Sequence, residues 1–254
     1  MDLDISLSSA LLLILAGIVG GFVNTLAGGG SMLTLPALMM LGMPPDIANA
    51  TNRVGVLMQS LTGMREFNRH KYMPSEAIVP VLVPVLAGTL AGALVASYMP
   101  VSWLKPVLLI TMIAMALAML LKPETLFASM DTVPYRVNER PAAAAGLFLA
   151  GAYGGFVQAG VGFILIAALA GGLRYNLVMT NALKVVCTAA LSLLALVVFV
   201  ARDQVLWVPG LIMAVGTIIG AVVSVRFAIR VQQTTLKWIL FVMVSITCLM
   251  AWVS

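Results

Sequence analysis

At 254 residues, with 62% hydrophobic and only 9% charged side chains, the chain lacks the polar surface that a water-soluble globule of its size requires, so it reads as an integral membrane protein. The formal net charge of +5 is no nucleic-acid footprint, because the basic residues mostly flank apolar runs, where membrane orientation accounts for them. Those runs are long and do not alternate, which argues against barrel strands and predicts an all-α, polytopic architecture.

The opening MDLDISLSS carries Asp2 and Asp4 where a secretory signal would place Lys or Arg, so the first apolar run belongs to the mature protein. That run covers about 9 to 27, is broken at Gly28-Gly29-Gly30-Ser31, and resumes as a short piece at about 32 to 42. Spans follow at about 46 to 65, 75 to 98 and 102 to 121. Pro123 to Pro141 holds Glu124, Asp131, Arg136, Glu139 and Arg140 among prolines and small polar residues, and reads as a linker. The order then repeats: a run at about 142 to 159, a break at Gly160 and Gly162, a short piece to Leu173, and spans near 177 to 200, 206 to 229 and 233 to 253. The expected organisation is two membrane repeats, 1–122 and 142–254, joined by a cytoplasmic linker at 123–141.

Residue identities support the duplication. Gly17, Gly20, Gly21, Phe22, Val23 and Gly28 recur at constant spacing as Gly151, Gly154, Gly155, Phe156, Val157 and Gly162, and the amide Asn24 recurs as the amide Gln158. Gly88, Thr89, Gly92 and Ala93 correspond to Gly216, Thr217, Gly220 and Ala221. If each glycine-broken segment is a re-entrant hairpin, each repeat keeps an odd number of crossings and the repeats are inverted. With the N-terminus outside, Arg65, Arg69, Lys71, Lys122, Arg136, Arg140, Arg174, Arg226, Arg230 and Lys237 then face the cytoplasm, and only Lys105 and Arg202 lie outside. Full crossings by the broken segments divide the cations almost evenly, so the positive-inside bias favours inversion.

Arg53 and Lys184 stand apart from that count, at matched positions inside the first full span of each repeat, beside Thr51-Asn52 and Thr180-Asn181. A cation at mid-membrane costs about 2.5–3.5 kcal/mol on insertion scales, so it is expected to line a polar cavity or to pair. Every carboxylate falls at a span end or in a loop, which leaves a bound anion to supply the missing charge. The alternative is that the long stems snorkel to the headgroups. The breaks complete the argument, since a helix N-terminus presents unpaired N–H groups and a positive dipole end, and glycine lets backbone approach a ligand. The candidate anion site is therefore Asn24, Thr25, Gly28, Gly29, Gly30, Ser31, Asn49, Asn52, Arg53, Gln158, Gly160, Gly162, Asn181 and Lys184.

Other glycines read differently. Gly17/Gly21, Gly88/Gly92, Gly151/Gly155 and Gly216/Gly220 are GxxxG pairs, better explained by close helix packing, and such faces permit a homodimer without requiring one. Cys187 and Cys248 lie apart in apolar runs without CxxC spacing or nearby histidine, so neither a disulfide nor a metal site is expected. No Walker or Rossmann spacing calls for a nucleotide cofactor, and no nucleophile with its base, carboxylate pair or metal cluster suggests an enzyme.

The segments GGFVNTLAGGGSMLTLPALMMLGMPPDIANATNR and GGFVQAGVGFILIAALAGGLRYNLVMTNALK resemble the sulfite exporter TauE/SafE family, also called the toluene-sulfonate uptake permease family, and the similarity runs over almost the whole chain. The resemblance implies movement of small sulfur-containing anions such as sulfite, sulfonates or sulfoacetate across a bacterial cytoplasmic membrane. Carried over by motif, its Gly-rich and Asn/Thr-rich regions fall on Asn24 to Ser31, Asn49 to Arg53, Gln158 to Gly162 and Asn181 to Lys184. The second turn, AGVGF in place of AGGGS, departs from strict symmetry. The expected mechanism is alternating access around one anion held between the broken helices. An anion channel and a non-transporting membrane scaffold are the rival classes.

Overall fold

The computed structural model of the protein describes residues 6–26, 28–121 and 132–230. The final expected span, with Lys237, Trp238, Cys248 and Trp252, lies outside the described residues. In chain order the helices are α1 (Leu7–Leu26), α2 (Ser31–Met40), α3 (Pro45–Arg69), α4 (Ser75–Tyr98), α5 (Val101–Leu121), α6 (Pro141–Phe156), α7 (Val161–Ile166), α8 (Leu177–Val200) and α9 (Trp207–Arg230). A π turn, Ala167–Gly172, continues α7, and the linker holds a short 3-10 turn at Val137–Glu139. Among the described residues, α1, α4, α8 and the Trp207–Ala228 part of α9 are long and apolar enough to cross a membrane.

Local chemistry sets the boundaries. Pro45 opens α3, where its missing N–H is not needed, and Asp46 in the first turn and Arg69 in the last complement the helix dipole. Asn176 caps α8 by accepting from the Met179 N–H at 3.0 Å. Gly28 and Gly160 break the apolar runs in left-handed backbone, at φ 93° and 80°. The two breaks are not identical. α1 and α6 begin at equivalent residues, Leu7 and Pro141, but α6 stops at Phe156, the equivalent of Phe22, one turn earlier than α1 and earlier than the sequence suggests. Gln158 is the reason: it sits in left-handed backbone at φ 66°, and its Nε2 donates to the Ser192 hydroxyl at 2.6 Å, which holds it off the helical path.

The repeats are interlaced. α1 packs along α9 and α6 along α4, so the first helix of each repeat lies on the fourth helix of the other. The glycine pairs make these contacts possible. A Cβ on Gly17 would meet the Met213 carbonyl oxygen at 2.6 Å, and one on Gly21 would run into the backbone of Thr217. In matched fashion, a Cβ on Gly151 would meet Val85 backbone and one on Gly155 that of Thr89, while Gly88 and Gly92 abut Phe148 and Ala152, and Gly216 and Gly220 abut Ile14 and Ile18. The GxxxG faces are thus spent inside one chain and are not free for a second copy. The same helices turn large apolar side chains outward, among them Leu7, Leu11 and Leu15 on α1 and Leu211, Val215 and Ile219 on α9. Small residues inside and large apolar ones outside is the arrangement that lipid favours, because no hydrophobic effect drives helices together there.

Backbone contact of this kind tolerates no side chain. Gly155→Ala and its counterpart Gly21→Ala are each expected to destabilise the detergent-solubilised protein, by about 1–3 kcal/mol of overpacking. Gly146→Ala, whose new Cβ meets only the Ala168 Cβ at 3.5 Å, is expected to melt at or above the wild-type temperature.

Candidate functional site

The two breaks meet. A Cβ built on Gly28 would strike the Cα of Gly162, and one built on Gly162 would strike the Cα of Gly28, so equivalent residues of the two repeats touch backbone to backbone. Gly29 faces the Phe163 ring, and Gly30 is wedged against Gly20 and the Asn24 Cβ. Each break brings together a helix C-terminus, of α1 or α6, and the start of a shorter helix, α2 or α7.

Both cations are inside. Arg53 is 0% and Lys184 1% exposed, so neither snorkels. No carboxylate holds them among the described residues; backbone carbonyls do. The last four carbonyls of a helix have no partner within it, and each left unsatisfied away from water costs several kcal/mol in hydrocarbon. Arg53 on α3 donates from its two terminal nitrogens to Gly154 O at 2.9 Å and Gly155 O at 2.7 Å, in the last turn of α6. Asn49, one turn earlier on the same face, donates from Nδ2 to Phe156 O at 3.0 Å. Three successive orphan carbonyls of the second repeat are thereby capped by one face of α3 in the first. The reverse contact is also made: Lys184 Nζ on α8 donates to Thr25 O at 2.8 Å, in the last turn of α1, and to Asn181 Oδ1 at 2.7 Å. The Arg53 guanidinium also lies over the Phe199 ring, 4.9 Å from its centroid.

Capping explains why cations occupy matched positions, yet it does not neutralise them. A helix C-terminus carries about half a negative charge, so each capped end retains about half a positive one. Around these ends lie buried polar atoms with no partner among the described residues: Thr25 Oγ1, Ser31 Oγ and Asn181 Nδ2 at the first break, and Gln158 Oε1, Asn49 Oδ1 and Arg53 Nε at the second. Buried polar atoms are usually hydrogen-bonded, so orphans concentrated on the sequence-derived site residues point to a polar guest. Those at the first break, two hydroxyls and an amide NH2, all offer a hydrogen.

The remaining site residues hold the frame. Asn52 Oδ1 accepts from the Thr34 hydroxyl at 2.6 Å, fixing the first turn of α2 to α3. Gly160, in left-handed backbone, turns the chain into α7. Asn24 closes α1, buried, beside Thr25. The structure thus gathers Asn52, Lys184 and Asn181 with the first break, and Asn49 and Arg53 with the second.

Sequence reasoning missed Ser192, which orients Gln158, and Thr34, which holds Asn52. It also missed Tyr153, whose hydroxyl donates to Ala159 O at 2.6 Å across the second break, and Phe199 under Arg53. Thr34 had a signal, standing on the break side of α2, but Ser192 and Phe199 are read as ordinary residues of an apolar span.

A multi-pass helical membrane protein with paired helix breaks around buried polar groups has the build of a solute transporter. The chain belongs to the sulfite exporter TauE/SafE family, whose model matches residues 13–251. It is similar to a probable membrane transporter protein of Haemophilus influenzae, 28% identical over 244 residues that cover 95% of this chain and 93% of the relative. It is also similar to the probable membrane transporter protein YfcA of Escherichia coli K12, 26% identical over 225 residues (89% and 82%), and to the probable membrane transporter protein ORF9 of a Sinorhizobium species, 28% identical over 245 residues (96% and 92%).

Proposed function

We propose that the protein carries small sulfur-containing anions, of the sulfonate, sulfoacetate or sulfite class, across the bacterial cytoplasmic membrane by alternating access. The repeats 1–122 and 142–254 are inverted, the segments α1–α2 and α6–α7 are re-entrant, and the anion occupies the junction of the two breaks. The observation that carries the reading is the pair of buried cations at equivalent positions, each held only by neutral groups, with unpartnered groups that can donate, Thr25 Oγ1, Ser31 Oγ and Asn181 Nδ2, around Lys184. Family membership supports transport, and the family's description supports a sulfur oxyanion. The first break, with Thr25, Ser31, Asn181 and Lys184, receives the anionic head.

Two measurements test this. Sulfite, sulfate, thiosulfate, sulfoacetate, taurine and carboxylate analogues are each added to the purified protein and its melting temperature recorded. A ligand at a hundred times its Kd adds about 2.7 kcal/mol, so sulfur anions are expected to raise the melting temperature visibly and carboxylates less. The anions ranked highest are then followed into proteoliposomes. Stabilisation by none of them, or currents far above carrier turnover, defeats the proposal, the second in favour of a channel.

A further inference from the structure

Resting on the transport reading above, we infer that the parts that move against each other are not the two sequence repeats but two interlaced bundles, α1–α2–α3–α9 and α4–α6–α7–α8, each drawn from both repeats. Three observations carry this division. α1 and α9, like α4 and α6, meet backbone to backbone through four glycines spread over successive turns, an extended contact that resists sliding where the single Gly28–Gly162 touch does not. Hydrogen bonds that do not involve a charge then pin α3 and α1 to α9 and α2: Thr217 Oγ1 to Gly55 O at 2.9 Å, Ser224 Oγ to Phe22 O at 2.9 Å, and Thr34 Oγ1 to Asn52 Oδ1 at 2.6 Å. In the other bundle Gln158 is tied to Ser192.

The seam between the bundles is built differently. It runs along α3 against α8 and through the Gly28–Gly162 contact. Among the described residues, the side-chain hydrogen bonds crossing it come from Asn49, Arg53 and Lys184, all onto last-turn carbonyls. Those of Arg53 and Lys184 are bonds an arriving anion competes for, because it is a stronger acceptor for a guanidinium or ammonium than an amide carbonyl. Among the described side-chain hydrogen bonds between helices, the charge-dependent ones therefore lie on the seam, beside that of Asn49, and those within the bundles are uncharged. Interlacing also follows from burial: each broken helix end is capped by side chains of the opposite bundle, so neither repeat is a self-sufficient body.

Cysteine pairs separate the alternatives, in a Cys187→Ala, Cys248→Ser background. A Cβ placed at Gly63 on α3 lies 3.7 Å from the Val185 Cβ on α8, inside the span of about 3.5–4.5 Å that disulfides take. A Cβ at Gly210 on α9 lies 3.1 Å from the Val54 Cβ on α3, closer than that span, so the helices must part by a few tenths of an ångström to form the bridge, and this pair joins the two repeats within one bundle. Uptake of radiolabelled sulfite and sulfoacetate is measured in proteoliposomes before and after oxidation, and again after reduction. The Val54→Cys, Gly210→Cys bridge is expected to leave uptake at its reduced rate, and the Gly63→Cys, Val185→Cys bridge to abolish it reversibly. Reversible loss with the first bridge, or full uptake with the second, overturns the division. Uptake by the reduced variants is what tests transport itself, so the two failures are distinct. Nitroxide labels on the same pairs read the division without uptake: one narrow α3–α9 distance and two α3–α8 distances are expected, and a split α3–α9 distance overturns it. Should the Val54 pair fold poorly, Phe22 and Phe227, with ring centroids 5.8 Å apart on α1 and α9, take its place with a short bis-thiol linker.

Discussion

Lys184→Met is expected to abolish anion uptake while leaving the protein folded and close to wild type in thermal stability. The substitution keeps an unbranched side chain one atom shorter and removes its charge, so the Thr25 carbonyl and the Asn181 amide oxygen lose their donor. Leaving two buried acceptors unsatisfied costs about 1–3 kcal/mol each. Against this, an ammonium no longer has to be held in the membrane, which insertion scales put at about 2.5–3.5 kcal/mol. The two effects are of similar size and opposite sign, so the melting temperature in detergent is expected to move little. Under the proposed mechanism transport has no such compensation: the half charge that the capped helix end leaves over is what would attract the substrate, and methionine supplies none. Proteoliposome uptake beside a melting curve decides the matter. A large drop in stability with uptake preserved in the surviving protein would make Lys184 a cap and nothing more. Arg53→Met is expected to lose uptake as well and to be the less stable of the two, since two carbonyls, of Gly154 and Gly155, and the stacking on Phe199 go together.

The second large effect is expected at the point where the breaks touch. Gly162→Ala places a methyl group against the Cα of Gly28, and Gly28→Ala places one against the Cα of Gly162 while also forcing alanine to φ 93°. Both should end uptake, because the wedge separates the two breaks and with them the donors that converge on the anion. Their stabilities should differ: left-handed backbone costs a residue with a Cβ about 1–2 kcal/mol, so Gly28→Ala is expected to melt below Gly162→Ala by that increment. Gly63→Ala nearby, with only ordinary contact at 3.4 Å to a Val185 methyl, serves as the control that should fold and transport. Equal stability for the two central variants would mean that the break relaxes around Gly28 and is not held by its partner.

Much of this molecule was legible before any coordinates. Apolar run length marks a membrane helix because the hydrocarbon has a fixed thickness, and α4, α8 and α9 fall within a residue of the spans read from composition. Glycine clusters mark breaks because other residues resist left-handed backbone, and the first break lies where Gly28 put it. The second includes Gly160, as read, but opens about a turn before the expected end of the run, because a glutamine also adopts that backbone here, supported by Ser192, a partner that nothing in its own neighbourhood betrays.

The duplication likewise identified which residues are equivalent, and it singled out Arg53 and Lys184 as matched cations inside the membrane. Whom they hold was decided only by tertiary structure. Their partners are main-chain carbonyls 101, 102 and 159 residues distant, and every residue in the chain carries such a group, so no pattern of side chains could mark the acceptors. The interlacing of the repeats has the same origin. GxxxG spacing tells that a helix seeks a close neighbour, but all four pairs look alike in sequence, and the choice between a partner in the same repeat, in the other repeat or in another molecule rests on which assembly also brings a cation to each buried helix end.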